Sequence, residues 1–185
     1  MNDNLPIFSS PSTFTINEGE ISVGKITASD ADGDTLTFAI SGIDAGSLTI
    51  NSASGNLVFN TAPDYEVQSS YSIIVTVSDG LNSVDQNIAV EINNLNESSP
   101  NFTSSANFSV NENQTTVSTL TASDPDGDTL TFAISGSDAS SFNIGTSSGV
   151  LTFSSSPDYE TKSTYSIVAT VSDGVNDTSQ NISIS

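Results

Sequence analysis

The feature that most constrains this chain is that it says everything twice. Thr27-Ala-Ser-Asp30-Ala-Asp32-Gly-Asp34-Thr-Leu36-Thr-Phe38-Ala-Ile40 returns 94 residues later as Thr121-Ala-Ser-Asp124-Pro-Asp126-Gly-Asp128-Thr-Leu130-Thr-Phe132-Ala-Ile134, with Pro125 standing for Ala31. The same offset relates Phe14-Thr-Ile16-Asn-Glu18 to Phe108-Ser-Val110-Asn-Glu112, and Pro63-Asp64-Tyr65-Glu66 to Pro157-Asp158-Tyr159-Glu160. It also relates Val77-Ser-Asp79-Gly80 to Val171-Ser-Asp173-Gly174. A period this long exceeds that of solenoid units, so each copy is expected to be a whole domain rather than one layer of a stack. The boundaries fall at residues 1–94 and 95–185.

Within a copy the apolar residues alternate over short runs, around residues 12–16, 22–28, 36–40, 47–50, 57–59, 71–78 and 83–92. Tyr71, Ile73, Val75 and Val77 share one face of the sixth run, and Val84, Ile88, Val90 and Ile92 one face of the seventh. Gly, Asn, Asp and Pro separate the runs. Period-two patterning broken by regular turns predicts an all-β chain of two tandem seven-stranded antiparallel sandwiches. No stretch reads as a helix, and Phe14, Phe38, Phe59 and Tyr71 read as core. No apolar run approaches the ~20 residues of a membrane-spanning helix.

Charge narrows the chemistry. Twenty-two acidic residues face only Lys25 and Lys162, for a formal charge of −20. Nucleic acid is excluded as a partner, because nothing here neutralises phosphates. The chain has no Cys and no His. Zinc sites built from those residues are therefore absent, as is any Ser-His or Cys-His nucleophile. Each Asp-x-Asp-Gly-Asp turn sets three carboxylates at alternate positions. One reading is a polar turn rich in Asp; the other is a site for a hard cation that takes oxygen ligands, Ca²⁺ above all. An EF-hand loop starting at Asp30 would need Gly sixth and Glu twelfth, where the chain has Thr35 and Ser41. Asp34 and Asp128 either shape the turn or lend a carbonyl through a neighbour.

The order and spacing of these motifs resemble the cadherin repeat, over nearly the whole chain. Asn2-Asp-Asn4-x-Pro-x-Phe8 follows most of the linker pattern D-x-N-D-N-x-P-x-F, and Glu18 and Glu112 stand where that family has the glutamate after its first strand. Asp64-Tyr-Glu66 and Asp158-Tyr-Glu160 resemble L-D-x-E, with Pro for Leu. Asp30-x-Asp32 and Asp124-x-Asp126 resemble D-x-D, and Asp79 and Asp173 the single late Asp. The resemblance, to repeats of the bacterial cell-surface or secreted adhesin type, implies Greek-key, Ig-like folds and Ca²⁺ between consecutive repeats. Glu18, Asp64 and Glu66 would come from the first repeat, and Asp124, Asp126 and Asp173 from the second. Asn94, Asn96 and Glu97 would come from a linker spanning about residues 93–99, with Leu95 and Ser98 offering carbonyls. Up to three ions would fit. The linker departs from the family at Asn94, Glu97 and Ser98, where Asp, Asp and Asn are usual. At the other end, Asn2, Asn4, Asp30, Asp32 and Asp79 form half a junction, expected to hold one ion weakly. That half-linker covers residues 1–8.

The function expected from the resemblance is a spacer stiffened by Ca²⁺ in a calcium-dependent, membrane-associated adhesion protein, its partners being calcium and further repeats of the array. The alternative is a module that itself binds a partner cadherin-like domain or a polysaccharide. The absence of Trp and the near-identity of the two copies favour the spacer. An enzyme using paired carboxylates, as glycosidases do, is set aside, since Asp64 and Glu66 are accounted for as ligands. Chain ends that open on one linker and stop just short of the next read as cuts from a longer secreted, extracellular protein. Sequons at Asn96, Asn101, Asn107, Asn113, Asn176 and Asn181, one of them inside the proposed junction, point to a bacterial source.

Overall fold

The computed structural model describes residues 4–185, so Asn2 lies outside the described residues. The chain divides into two compact units, Met1–Leu95 and Asn96–Ser185. In the first, strands β1 (Ile7–Phe8), β2 (Thr13–Asn17), β3 (Ser22–Lys25), β4 (Ala28–Ser29) and β5 (Thr37–Ser41) are followed by β6 (Leu48–Ile50), β7 (Asn56–Phe59), β8 (Ser70–Ser78) and β9 (Ser83–Asn93). One sheet runs β2-β9-β8-β5, the other β3-β7-β6, and β1 pairs with β4. This is the seven-stranded sandwich that the alternation predicts, with its first two strands each in two pieces. The second unit repeats it with β10 (Asn101–Phe102), β11 (Asn107–Phe108), β12 (Thr116–Thr119), β13 (Ala122–Ser123), β14 (Thr131–Ser135), β15 (Phe142–Ile144), β16 (Val150–Phe153), β17 (Tyr165–Ser172) and β18 (Asp177–Ile184). One-turn 3₁₀ helices at Ala45–Ser47 and Ala139–Ser141 are the only helical pieces among the described residues, and none could cross a membrane.

Two details depart from the expectation. The sandwich is not wholly antiparallel: β1 pairs antiparallel with β4, whereas β2 lies parallel to β9. The first strand changes sheets between residues 9 and 12, where Pro11 cannot extend a ladder. The run 22–28 is also broken. A register shift between Ser22 and Gly24 bulges β3, which ends at Lys25, and its continuation β4 leaves β7 to pair with β1. At the break, the fully buried Ile26 donates its N–H to the carbonyl of Gly55 at 2.9 Å. Gly55 has φ +72°, and a Cβ there would overlap the Ile26 carbonyl oxygen; Gly149 meets Leu120 in the same way. Only glycine permits both the backbone angle and the approach.

The core includes the predicted faces of the sixth and seventh runs. Tyr71, Ile73, Val75 and Val77 of β8 and Ile88, Val90 and Ile92 of β9 are buried with Phe38, Leu57 and Phe59, while Phe14 and Val84 pack at its margin. Tyr71 meets Phe59 edge-on, ring centroids 4.7 Å apart. At ~25 cal/mol per Å² of apolar area, each fully buried Ile, Val or Phe contributes on the order of 1.5–3 kcal/mol. Asp44 fixes the start of β8, accepting from the Ser72 N–H at 2.7 Å and from Gln68 Nε2 at 3.1 Å. In the second repeat Asp138 accepts from the Ser166 N–H, and Lys162 replaces Gln68 as its side-chain partner.

Candidate metal-binding ends of each repeat

Strand β8 separates two acidic ends of the first sandwich: Asp79 follows its last residue, and Asp64 and Glu66 precede its first. Nine strand residues at ~3.3 Å each hold the two ends roughly 25–30 Å apart. The same order holds around β17.

At the end that Asp79 marks, the Asp-x-Asp-Gly-Asp segment folds on its own first carboxylate. In the first repeat Asp30 Oδ1 accepts from the N–H groups of Asp32 (2.8 Å) and Asp34 (3.4 Å). In the second, Asp124 Oδ1 accepts from those of Asp126 (3.0 Å) and Asp128 (3.2 Å). Gly33 and Gly127 turn the chain at φ +80° and +79°. Alternate side chains are thereby thrown to one side. Carboxylate oxygens of Asp30, Asp32 and Asp34 come within 4.8 Å of one another, as do those of Asp124, Asp126 and Asp128. Asp34 and Asp128 thus stand within the clusters; their spacing in the sequence was the signal, but the turn that gathers them was not visible there.

The linker residues of each unit are tied to this end. Asp126, buried, accepts at Oδ2 from the backbone N–H groups of Glu97 (2.9 Å) and Ser98 (2.8 Å). In the first repeat Asp32 accepts from the Asn4 N–H and from its side-chain amide, each at 2.9 Å. Asp173 Oδ1 closes the turn between β17 and β18, accepting from the N–H groups of Val175 (2.7 Å) and Asn176 (2.6 Å). Asp79 does the same with Leu81 and Asn82. Burial and the charges of Asp124, Asp126 and Asp173 push the Asp128 carboxyl up. Burial also acts to raise Asp173, but hydrogen bonds from Asn176, Val175 and Asn96 outweigh it and hold that carboxyl low.

At the opposite end of the first repeat the buried Glu18 is the anchor. Its Oε2 accepts from the Tyr65 N–H at 2.9 Å and its Oε1 from the Leu95 N–H at 2.7 Å. Asp64 accepts from the N–H groups of Glu66 and Val67, shaping the loop that brings a Glu66 oxygen within 4.8 Å of Glu18. In the second repeat Glu112, Asp158 and Glu160 approach one another equally closely, and all three are exposed. Glu112 accepts from the Tyr159 N–H at 3.4 Å. A hydrogen bond from the Thr161 hydroxyl holds the Asp158 carboxyl low. Asn94 and Glu97 are exposed, and Asn96 donates to the Asp173 carbonyl at 3.4 Å.

The donor set suits Ca²⁺: oxygen throughout, anionic, and mixed from carboxylate, amide and backbone groups. Asp30 Oδ2, Asp34 Oδ2 and Asp124 Oδ2 are buried and have no hydrogen-bond partner among the described residues. Buried carboxylate oxygens left in that condition are costly, and a bound cation would satisfy them. Lys162 is engaged elsewhere, with Asp138.

Two family models match, one on each repeat: "Cadherin domain" over residues 106–184 and "Bacterial Ig domain" over residues 2–91. Protocadherin Fat 4 of Mus musculus is 30% identical over 94% of the chain, which spans 4% of that relative's length. Chitinase A of Pseudoalteromonas piscicida is 32% identical over 64% of the chain and 14% of its own length. Human Protocadherin-24 EC1-2 superposes with TM-score 0.81 at 23% identity, covering 100% of this chain and 98% of that one. The Protocadherin gammaB7 EC3-6 cis-dimer structure gives 0.85 at 17% identity, over 100% and 52%. In fold and in motif order, the two units resemble cadherin repeats.

Proposed function

We propose, from the resemblance of both units to cadherin repeats, that this chain is a calcium-stiffened spacer in an extracellular adhesion protein. The observation that carries the reading is the pair of acidic ends on each sandwich. Glu18, Asp64 and Glu66 stand at one end, and Asp30, Asp32 and Asp79, or Asp124, Asp126 and Asp173, at the other. In a tandem array the first kind of end would face the second kind on the next repeat. Ca²⁺ would then be held by Glu18, Asp64, Glu66, Asn94, Asn96, Glu97, Asp124, Asp126 and Asp173, with the carbonyls of Leu95 and Ser98. Bound there, Ca²⁺ supplies charge neutralisation and a crosslink. The chain's own contribution is to hold the oxygens ready: Glu18 clamps the Leu95 backbone and Asp126 clamps the backbone at Glu97 and Ser98. Asn4, Asp30, Asp32 and Asp79 would form a half-site that takes one ion weakly.

Spacing is favoured over recognition because Asp-rich turns, aromatic core and acidic ends recur in both copies at one offset. The similarity to part of a bacterial chitinase fits a module that spaces other domains, and a bacterial surface or secreted parent is part of the same proposal. Thermal melts in EDTA and in millimolar CaCl₂ test the calcium reading. At free Ca²⁺ a hundred times Kd, each independent site adds about 2.7 kcal/mol, and extracellular calcium modules have Kd values of roughly 10⁻⁴–10⁻³ M. A midpoint that does not move between the two conditions would remove it.

A further inference from the structure

The turn between β17 and β18 carries a side chain that the calcium-ligand motifs do not mark. Asn176 is the last residue of that turn, and its backbone is fixed on both sides. Its N–H donates to Asp173 Oδ1 at 2.6 Å, and its carbonyl accepts from the Asp173 N–H at 3.2 Å. From this rigid base the Asn176 amide nitrogen meets three acceptors: Asn96 Oδ1 at 3.0 Å, the Ser98 carbonyl at 3.0 Å and Asp173 Oδ2 at 3.4 Å. Two amide hydrogens serve three oxygens, so the oxygens must converge on one point. The first repeat is built alike. Asn82 donates to the Asn4 carbonyl at 3.3 Å and to Asp79 Oδ2 at 3.2 Å, and Asn4 is the equivalent of Ser98.

We infer that Asn176, and Asn82 in the first repeat, is a positioning residue that gathers linker and turn oxygens into a cation-ready set. It does so through its amide nitrogen, whose lone pair is delocalised into the amide carbonyl and is not available to a hard cation. Each carbonyl or carboxylate oxygen has two lone pairs, so one can accept from the amide while the other faces an ion. Asn96, Ser98 and Asp173 belong to one compact unit. The ordering that Asn176 imposes is therefore internal to the second repeat. The inference deepens the calcium reading and rests on it for the effect on binding, but not for the ordering of the linker.

The test separates the two. Amide hydrogen exchange of Glu97 and Ser98, measured in EDTA, reads how firmly the linker is held. Asn176→Ala loses one to two kcal/mol of hydrogen bonding, so exchange should quicken by about 5–30-fold. Asn176→Asp keeps the shape but replaces the donor with an acceptor, and should quicken exchange as much. Calorimetric titration with CaCl₂ should show Asn176→Ala weakened by about 10–100-fold, as for other groups that orient metal ligands. Asn82→Ala, read at Asn4, is the second variant if the first does not fold. Unchanged exchange in both Asn176 variants overturns the inference, as does wild-type exchange in Asn176→Asp, which would mean that shape alone matters. Quickened exchange with an unaltered calcium affinity overturns the link to the ion. Quickened exchange in a wild-type background that binds no calcium supports the positioning role and removes the calcium reading instead.

Discussion

Asp126 is predicted to have two separable jobs, and two substitutions divide them. The buried carboxylate accepts the N–H groups of Glu97 and Ser98 through one oxygen. Hydrogen bonds to a charged group contribute about 1.5–3 kcal/mol each. Against this stands relief of repulsion from Asp124 and Asp128, whose carboxylates lie within 4.8 Å. Asp126→Ala, which also strands two part-buried donors, should therefore cost about 2–4 kcal/mol without calcium. For a domain of this size that is a fall of roughly 10–25 °C in the transition of the second repeat. Asp126→Asn keeps an oxygen for both donors and sheds the charge, so its stability in EDTA should stay within about 1 kcal/mol of wild type. Both variants should lose most of the stabilisation that CaCl₂ gives the parent. The assay is thermal unfolding of all three proteins in EDTA and in CaCl₂. If the Asn variant melts with the Ala variant in EDTA, the acceptor role is wrong. If it keeps the full calcium increment, the ligand role is wrong.

Two further outcomes are expected. Gly149→Ala drives a Cβ into the Leu120 carbonyl oxygen at φ +66°, and should lower stability by about 1–3 kcal/mol or more in urea titrations, whereas Gly174→Ala, with no atom near its Cβ, should bear only the cost of its positive φ. The Asp138 carboxyl is held low by its hydrogen bond from Lys162 and then by the Ser166 N–H; a lowered folded-state pKa adds stability above the ordinary carboxylate range and loses it as pH falls through the folded value. Asp138→Asn should accordingly be less stable than wild type at pH 7, with the gap closing below pH ~4 in a melting series.

The strand runs and their inward faces were readable because alternation and burial are the same fact in a sandwich: Tyr71, Ile73, Val75 and Val77 are both the alternating set and the core. What stayed hidden depends on partners distant in sequence. Nothing local says that β2 joins β9 in parallel, or that the strand breaks at Ile26, whose backbone meets that of Gly55, 29 positions on. The acid motifs were legible as residue types at spacings. Their placement was not: that Asp126 grips a backbone rather than standing free, or that Glu18 is buried while Glu112 is exposed, follows from tertiary hydrogen bonds. Asn82 and Asn176 were missed for the same reason, since an Asn closing a turn looks like turn chemistry alone. Asp34 and Asp128 were left open between two local roles, and the folded turn places their carboxylates in the clusters.

The central claim is that calcium couples one repeat to the next, and the absence of cysteine from the chain makes a clean measurement simple. Spin labels on Ser52→Cys and Ser147→Cys, both exposed and one in each repeat, report the distance distribution between the units by double electron–electron resonance. A broad distribution in EDTA that narrows to a single sharp peak in CaCl₂, and stays broad with Asp126→Asn, is the predicted result. A distribution of the same width with and without calcium would contradict the account.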